Sequence, residues 1–419
     1  MTTITRLSID DDICIKDYNN FIQNPPNIFS GLPSAKYNIT LLGSKESKNI
    51  FDLEFINNQD EYLLSYQYMA GSGNTSNVNI YKMYKKKYNQ HINRPLSVKS
   101  DSKIDRLLIP KTHNNYEFIK TVIIKFFKDE FDYKIEKQNV YKLKHIIKNI
   151  HKNETDYNKH YILFNDDINK CIIYNYLGRR IRNEYIVNLK LKQKVSLMIQ
   201  LLEQCIKLND YLFIQNDIKP ENIVIDFDPD GEPNISIIDY GILYYIPEDF
   251  NEGNIFNTTI WSGSPEYLKI AKLIKDNEVL YNADIKDIFI KSQYYALAGL
   301  MIGLLVNDIY YYFNTVIQYV DVNEEHNMET RFMKYTEELI PLIMKDIINK
   351  LNEVKPEPSN TIPIFWKKTD MGLKKIVCDD YIFSTLKIII YSMFDYNYKN
   401  RLSLNDVLTE VKKCHSQFS

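Results

Sequence analysis

The stretch QNDIKPENIVI, Gln215–Ile225, followed by ISIIDYGI, Ile235–Ile242, decides how this chain is read. It sets Asp217, Lys219 and Asn222 on one short loop and Asp239 on a second, with an apolar β-type run after the first loop (IVI) and another before the second (ISII). Pro, Asn, Asp and Gly punctuate ordinary turns as well. The ordered pair of loops, each anchored by a strand, is the informative part. A carboxylate able to orient or accept a proton, a cation, and two oxygen donors suited to a hard divalent ion then meet where the loops face each other.

Working outward, YQYMAGSGNTSNVNIYKMY (Tyr66–Tyr84) reads as a hairpin in which Gly71, Gly73 and Val78 stand as G-x-G-x-x-S-x-V, with Ser72 between the glycines and Ser76 at the sixth place. Glycine lacks a Cβ, so its backbone can approach a ligand closely. TVIIKFF (Thr121–Phe127) places a lone cation, Lys125, in an apolar strand; Lys82 is a nearer lysine without such surroundings. KIEKQNVYKLKHIIKNI (Lys134–Ile150) has apolar residues at helical spacing, with Glu136 on its first turn and Glu130 as the second candidate for a partner to the lysine. HYILFN and KCIIYNYLG read as two strands, and VSLMIQLLEQCIKLNDYLFI (Val195–Ile214) as an amphipathic helix leading into the Asp217 loop.

These motifs resemble the eukaryotic protein-kinase family, whose catalytic loop reads H-R-D-x-K-P-x-N and whose metal loop reads D-F-G. The resemblance covers about residues 62–413. It implies an α+β, bilobal fold: a small antiparallel-sheet N-lobe with one helix, residues 61–177, and a larger, mainly helical C-lobe, residues 178–419. Residues 1–60 read as an N-terminal extension, and insertions are expected near 88–115, 267–290 and 352–366.

Carried over residue by residue, the resemblance makes Asp217 and Lys219 catalytic, and Asn222 and Asp239 ligands of Mg²⁺, for which Mn²⁺ can stand in. ATP would be held by Gly71, Ser72, Gly73, Val78, Lys125 and Glu136, with Tyr174, Asn175 and Tyr176 as the hinge and Tyr174 in the gatekeeper place. In TTIWSGSPEYL, Thr259 and Ser264-Pro265-Glu266 match the end of an activation segment; Arg401 matches the arginine that pairs with that glutamate, and Gly241 closes the metal loop. The implied activity is transfer of the γ-phosphate of MgATP to serine or threonine hydroxyls of proteins, because a lysine two residues after the aspartate is the Ser/Thr pattern. A pseudokinase scaffold and a small-molecule phosphotransferase are the alternatives.

The departures are specific. Gln215-Asn216 replaces His-Arg, Tyr240 replaces the Phe of D-F-G, and Gln293 stands where the family starts a helix with Asp. Without the arginine, a phosphate on Thr258 or Thr259 would lack its main partner.

Composition sets outer bounds. With 419 residues and a net charge of −2, the chain is long enough for two domains and carries no polyanion-binding excess, so protein substrates and not nucleic acid are the expected partners. Its five cysteines form no C-x-x-C pair, which suits free thiols in a reducing compartment. The most apolar run, Tyr294–Val306, is shorter than the roughly twenty residues a membrane helix needs, and MTTITRLSIDDD lacks the apolar core of a secretory signal. The expected location is therefore cytoplasmic. The wealth of Tyr, Asn, Ile and Lys suits an AT-rich genome, as in divergent kinases of large DNA viruses, for which host cytoplasm or virion would be the site.

Overall fold

The computed structural model describes residues 53–57, 60–73, 75–86, 116–150, 162–166, 170–245, 264, 267, 283–321, 342–354, 365–369, 372–376, 378–395 and 397–418. The chain is mixed α+β and divides into two compact units that meet in sequence between Tyr176 and Leu177.

The first unit is an antiparallel sheet with one helix. Its strands are β1 (Leu53–Asn57), β2 (Asp60–Ser72), β3 (Ser76–Lys86), β4 (Tyr116–Phe127), β5 (Ile162–Asp166) and β6 (Cys171–Asn175), in the order β1-β2-β3-β4-β6-β5. The sheet therefore begins at Leu53, within the stretch expected to be an extension. Helix α1 (Glu130–Ile150) joins β4 to β5 and starts a turn earlier than its apolar period suggests, because the Asp129 carboxylate accepts the Asp132 N–H and caps it.

Strand register sorts the side chains into two faces, since directly opposed residues point the same way. Gly71 pairs with Val78, Val78 with Lys125 and Lys125 with Ile172, so these four form one row across the sheet. Tyr174, opposite Ile123, lies on that same face. The other face gathers Leu64, Tyr81, Met83, Val122, Ile124, Cys171 and Ile173 into an apolar cluster.

The second unit is mainly helical: α2 (Leu191–Asp210), α3 (Ala283–Val306), α4 (Tyr311–Asp321), α5 (342–353), α6 (Cys378–Met393) and α7 (Leu404–Ser416). They share one core, in which Leu197, Met198, Leu201 and Leu202 of α2 are sealed with Leu297, Leu300, Met301 and Leu304 of α3 and Leu386 and Ile390 of α6. The expected helix Val195–Ile214 is shorter than its apolar pattern. It stops at Asp210, Leu212 turns to φ +63°, and Phe213–Gln215 is strand β8, the next strand after the two-residue β7 (Arg179–Arg180).

Helix α3 is longer than the apolar run read from the sequence: Asp287–Val306 has the length and composition to cross a membrane. Yet 89% of that stretch is buried within the protein, which is how a core helix behaves. Gly303 allows this packing, because a Cβ there would meet the Ile309 backbone at 2.6 Å. A further hairpin, β12 (Phe365–Thr369) with β13 (Gly372–Ile376), falls at the end of the expected 352–366 insertion; most of the 88–115 and 267–290 insertions lies outside the described residues.

Candidate functional site

Two pairs of strands in the second unit bring the informative loops together. β8 pairs with β11 (Leu243–Tyr245), Gln215 opposite Leu243, and β9 (Ile223–Phe227) pairs with β10 (Pro233–Ile237), Ile223 opposite Ile237. Residues 216–222 and 238–242 are therefore held between the same two sets of rungs and must run side by side. Backbone bonds close the arrangement: the Asn216 N–H donates to Ile242 O at 3.3 Å and the Ile238 N–H to Asn222 O at 2.8 Å.

Helix α2 fixes this frame from behind. Gln200 and Gln204, one turn apart, use their side-chain amides as a substitute strand for the edge of β10. Gln200 donates to Pro233 O and accepts from the Ile235 N–H, and Gln204 donates to Ile235 O and accepts from the Ile237 N–H, at 2.9–3.1 Å. Four backbone groups at the sheet edge are thereby satisfied, and the strand that delivers Asp239 is fastened to the core.

Within the first loop Asp217 is the hub. Its Oδ2 accepts from Lys219 Nζ at 2.8 Å and from Asn222 Nδ2 at 2.8 Å, while its carbonyl accepts from the same Asn222 amide at 2.9 Å. Asp217 and Asn222 are buried, and the Lys219 side chain keeps 23% exposure. Because Asn222 turns its nitrogen to Asp217, its oxygen is directed the other way. Asp239 opens the second loop at φ +68°, a left-handed conformation that costs most residues about 1–2 kcal/mol and that aspartate tolerates better than most. Two bonds hold it there: its Oδ1 accepts the Gly241 N–H at 3.2 Å, and its carbonyl accepts from Gln215 Nε2 at 2.7 Å. Gln215 thus braces the 238–242 loop. Tyr240 is buried, and its hydroxyl donates to Ile237 O at 3.5 Å.

Asn216 makes a contact that the sequence did not announce. Its buried Nδ2 donates to the Tyr267 hydroxyl at 2.6 Å, and burial holds that hydroxyl well above its usual pKa. Tyr267 is fully buried edge-on to Phe289 at 4.6 Å, and its N–H donates to Ser264 Oγ at 3.4 Å. The Ser264 N–H in turn donates to Ser292 Oγ on α3 at 3.0 Å. The loop is thus tied through neutral groups to α3.

Of the other residues expected to form an activation segment, Thr258, Thr259, Pro265 and Glu266 lie outside the described residues. Buried Arg401 donates to the carbonyls of Asp395 and Lys291 and lies over the Tyr295 ring at 5.2 Å. Gln293 does not start a helix but sits within α3, donating to Asn209 Oδ1 at 3.0 Å. The expectation of a helix-initiating position is corrected: α3 begins at Ala283, inside the stretch read as an insertion.

In the first unit, Gly71, Val78, Lys125 and Tyr174 share the sheet face described above, whereas Ser72, opposite Asn77, and Asn175, opposite Val122, lie on the other face. Lys125 Nζ meets Glu136 Oε2 at 2.6 Å, with the two side chains only 10% and 4% exposed. Glu130 instead pairs with Lys134 in solvent, and Lys82 is exposed. Gly71 would meet nothing within 4 Å if it carried a Cβ, and Gly73 only Ser76 O at 3.9 Å, so there is open room over both backbones. Ser72 Oγ donates to Asn77 Oδ1 across the hairpin at 2.6 Å. Lys128, unremarked in the sequence, donates from its backbone to Thr75 O and from its side chain to Gly73 O, steadying the turn. At the other end, Asn175 Oδ1 accepts from Lys120 Nζ at 2.8 Å, and the Tyr176 N–H reaches Thr121 O at 3.4 Å.

A buried ion pair is costly to break on one side only, because the remaining charge is stranded. Glu136→Leu alone is expected to cost about 3–5 kcal/mol of stability, and Lys125→Met added to it should recover most of that. Urea unfolding of the three proteins checks this, and a double variant as unstable as the single one would contradict it.

Among the described residues no cluster of three or more His, Cys, Asp or Glu could hold a metal by themselves. Cys205 and Cys414 are free and buried, Cys171 is buried as well, and burial pushes the Cys205 thiol up to about 12.

No protein-family model matches the chain. It is 33% identical over 78 residues to a protein of Invertebrate iridescent virus 3 named "Putative serine/threonine-protein kinase 040L". The match covers 19% of this chain and 22% of that protein, so the chain spans about a fifth of the length of the curated relative it matches.

Proposed function

We propose that this chain is a protein kinase of bilobal, kinase-like fold that transfers the γ-phosphate of MgATP to serine or threonine hydroxyls of proteins. The observation that carries this reading is the Asp217 hub: one buried carboxylate gripped by Lys219 and Asn222, on a loop laid beside the one that presents Asp239. Asp217 would orient the acceptor hydroxyl and take its proton, and Lys219 would offset charge on the transferring phosphoryl. Asn222 and Asp239 suit Mg²⁺, since both offer hard oxygen donors and Asn222 has its nitrogen committed elsewhere. When bound there, the ion would neutralise phosphate charge. Lys125, positioned by Glu136, would take the α- and β-phosphates, and the room over Gly71 and Gly73 fits a phosphate chain approaching the backbone. The partial likeness to a viral protein bearing a Ser/Thr-kinase name supports the same class.

Incubation with γ-labelled ATP, Mg²⁺ and generic acceptor proteins tests the proposal. Label is expected on serine and threonine. Nucleotide binding without transfer would favour a pseudokinase, and transfer only to small alcohols a small-molecule phosphotransferase.

The Asn216 contact carries a regulatory expectation. Asn216 is uncharged and is bonded to Tyr267, so the position before Asp217 holds no cation waiting for a phosphate. Protein stripped with phosphatase should keep most of its activity, and Thr258→Ala should change little. Thr259→Ala should be harmful even in unphosphorylated protein, if its hydroxyl serves the Asp217 loop as the family resemblance implies. Silencing by phosphatase, with recovery on rephosphorylation of this segment, would contradict the expectation.

A further inference from the structure

Glu136 lies in the buried stripe of α1, in line with Tyr133, Val140 and Leu143. A carboxylate at such a position needs partners for both oxygens. Oε2 takes Lys125 of β4, and Oε1 accepts a 2.6 Å hydrogen bond from the hydroxyl of Tyr174 on β6. The register explains why this is possible: Lys125 is opposite Ile172 and Tyr174 is two residues further along β6 on the same face. The length is that of a charge-assisted O–H···O⁻ bond, the stronger kind.

We propose, on the basis of the kinase reading above, that Tyr174 is a positioning residue for nucleotide binding. Its hydroxyl holds the Glu136 carboxylate, and through it α1, where Lys125 is presented to phosphate. One carboxylate then pins the helix to two adjacent strands, so α1 cannot slide off Lys125 without also breaking the Tyr174 bond. Two further bonds tie α1 to β5 and set the same face: Tyr141 donates to Asn165 Oδ1 at 2.7 Å, and Asn165 donates to the Tyr133 hydroxyl at 3.1 Å. The distinctive feature is that the phenolic oxygen, and not the ring, carries the function. Phenylalanine would keep the packing and lose the effect.

Tyr174→Phe tests this with two readouts. In nucleotide-free protein, amide hydrogen exchange across residues 133–143 should accelerate relative to wild type, because the helix has lost one of its ties. In the transfer assay, KM for ATP should rise about tenfold, as befits the loss of a hydrogen bond to a charged group, with kcat changed far less. The rise should vanish when the same substitution is made in a Glu136→Gln background, since the two residues act as one unit. Unchanged exchange in α1 would overturn the proposal, as would an unchanged KM or an equal rise in the Glu136→Gln background. If the wild type transfers no phosphate, the kinase reading falls and this proposal falls with it; a wild type that transfers, beside an indifferent Tyr174→Phe, removes only the proposal.

Discussion

Asp217→Asn is expected to lower phosphate transfer by on the order of 10²–10⁴-fold while nucleotide affinity stays close to wild type. The carboxylate is the acceptor of two bonds at one oxygen, from Lys219 and from Asn222. An amide in its place loses the negative charge that holds Lys219 and the basicity that would take the hydroxyl proton. The nucleotide contacts proposed here come from other residues, so the loss should fall on kcat. Steady-state kinetics with varied MgATP, together with binding of a fluorescent nucleotide, would check this. A variant that still turns over at near the wild-type rate would remove Asp217 from the mechanism.

Asp239→Ala should be comparably severe, at least about 10²-fold, but by a different route. Asp239 is the only carboxylate in the 238–242 loop, and its strained backbone is held by Gln215 and Gly241 at the place the proposal gives to Mg²⁺. Without it, nucleotide should bind more weakly and respond less to Mg²⁺, whereas Asp217→Asn should leave Mg²⁺ dependence unaltered. Titrating Mg²⁺ at fixed ATP separates the two. If Asp239→Ala shows the wild-type metal dependence, the metal is held elsewhere.

The parts legible in the sequence are those written in short-range pattern. The two loops could be read because Pro220, Asn222, Asp239 and Gly241 are turn residues between apolar strands, and their order is distinctive. Alternation around Lys125 and the helical spacing around Glu136 fixed an elementary geometry, and the two meet at 2.6 Å. The unread parts depend on partners distant in sequence. Nothing local says that Asn216 will find Tyr267, that Tyr174 will donate to Glu136, or that Gln200 and Gln204 will line a strand edge. Helix ends were misread for a physical reason. The apolar period of α2 continues through Leu212, Phe213 and Ile214, and only the left-handed turn at Leu212 separates helix from strand. In the same way the polar start of α3 hid nearly three turns of helix before Gln293. The strand β1 escaped notice because five residues offer too little alternation to stand out.

The most direct measurement is label transfer from γ-³²P-ATP to protein serine and threonine by the wild-type chain and by Asp217→Asn, side by side at saturating MgATP with equal nucleotide occupancy verified. Incorporation is expected by the wild type, with its near-complete loss in the variant. Equal incorporation by both, or none by a wild type that binds MgATP, would contradict it.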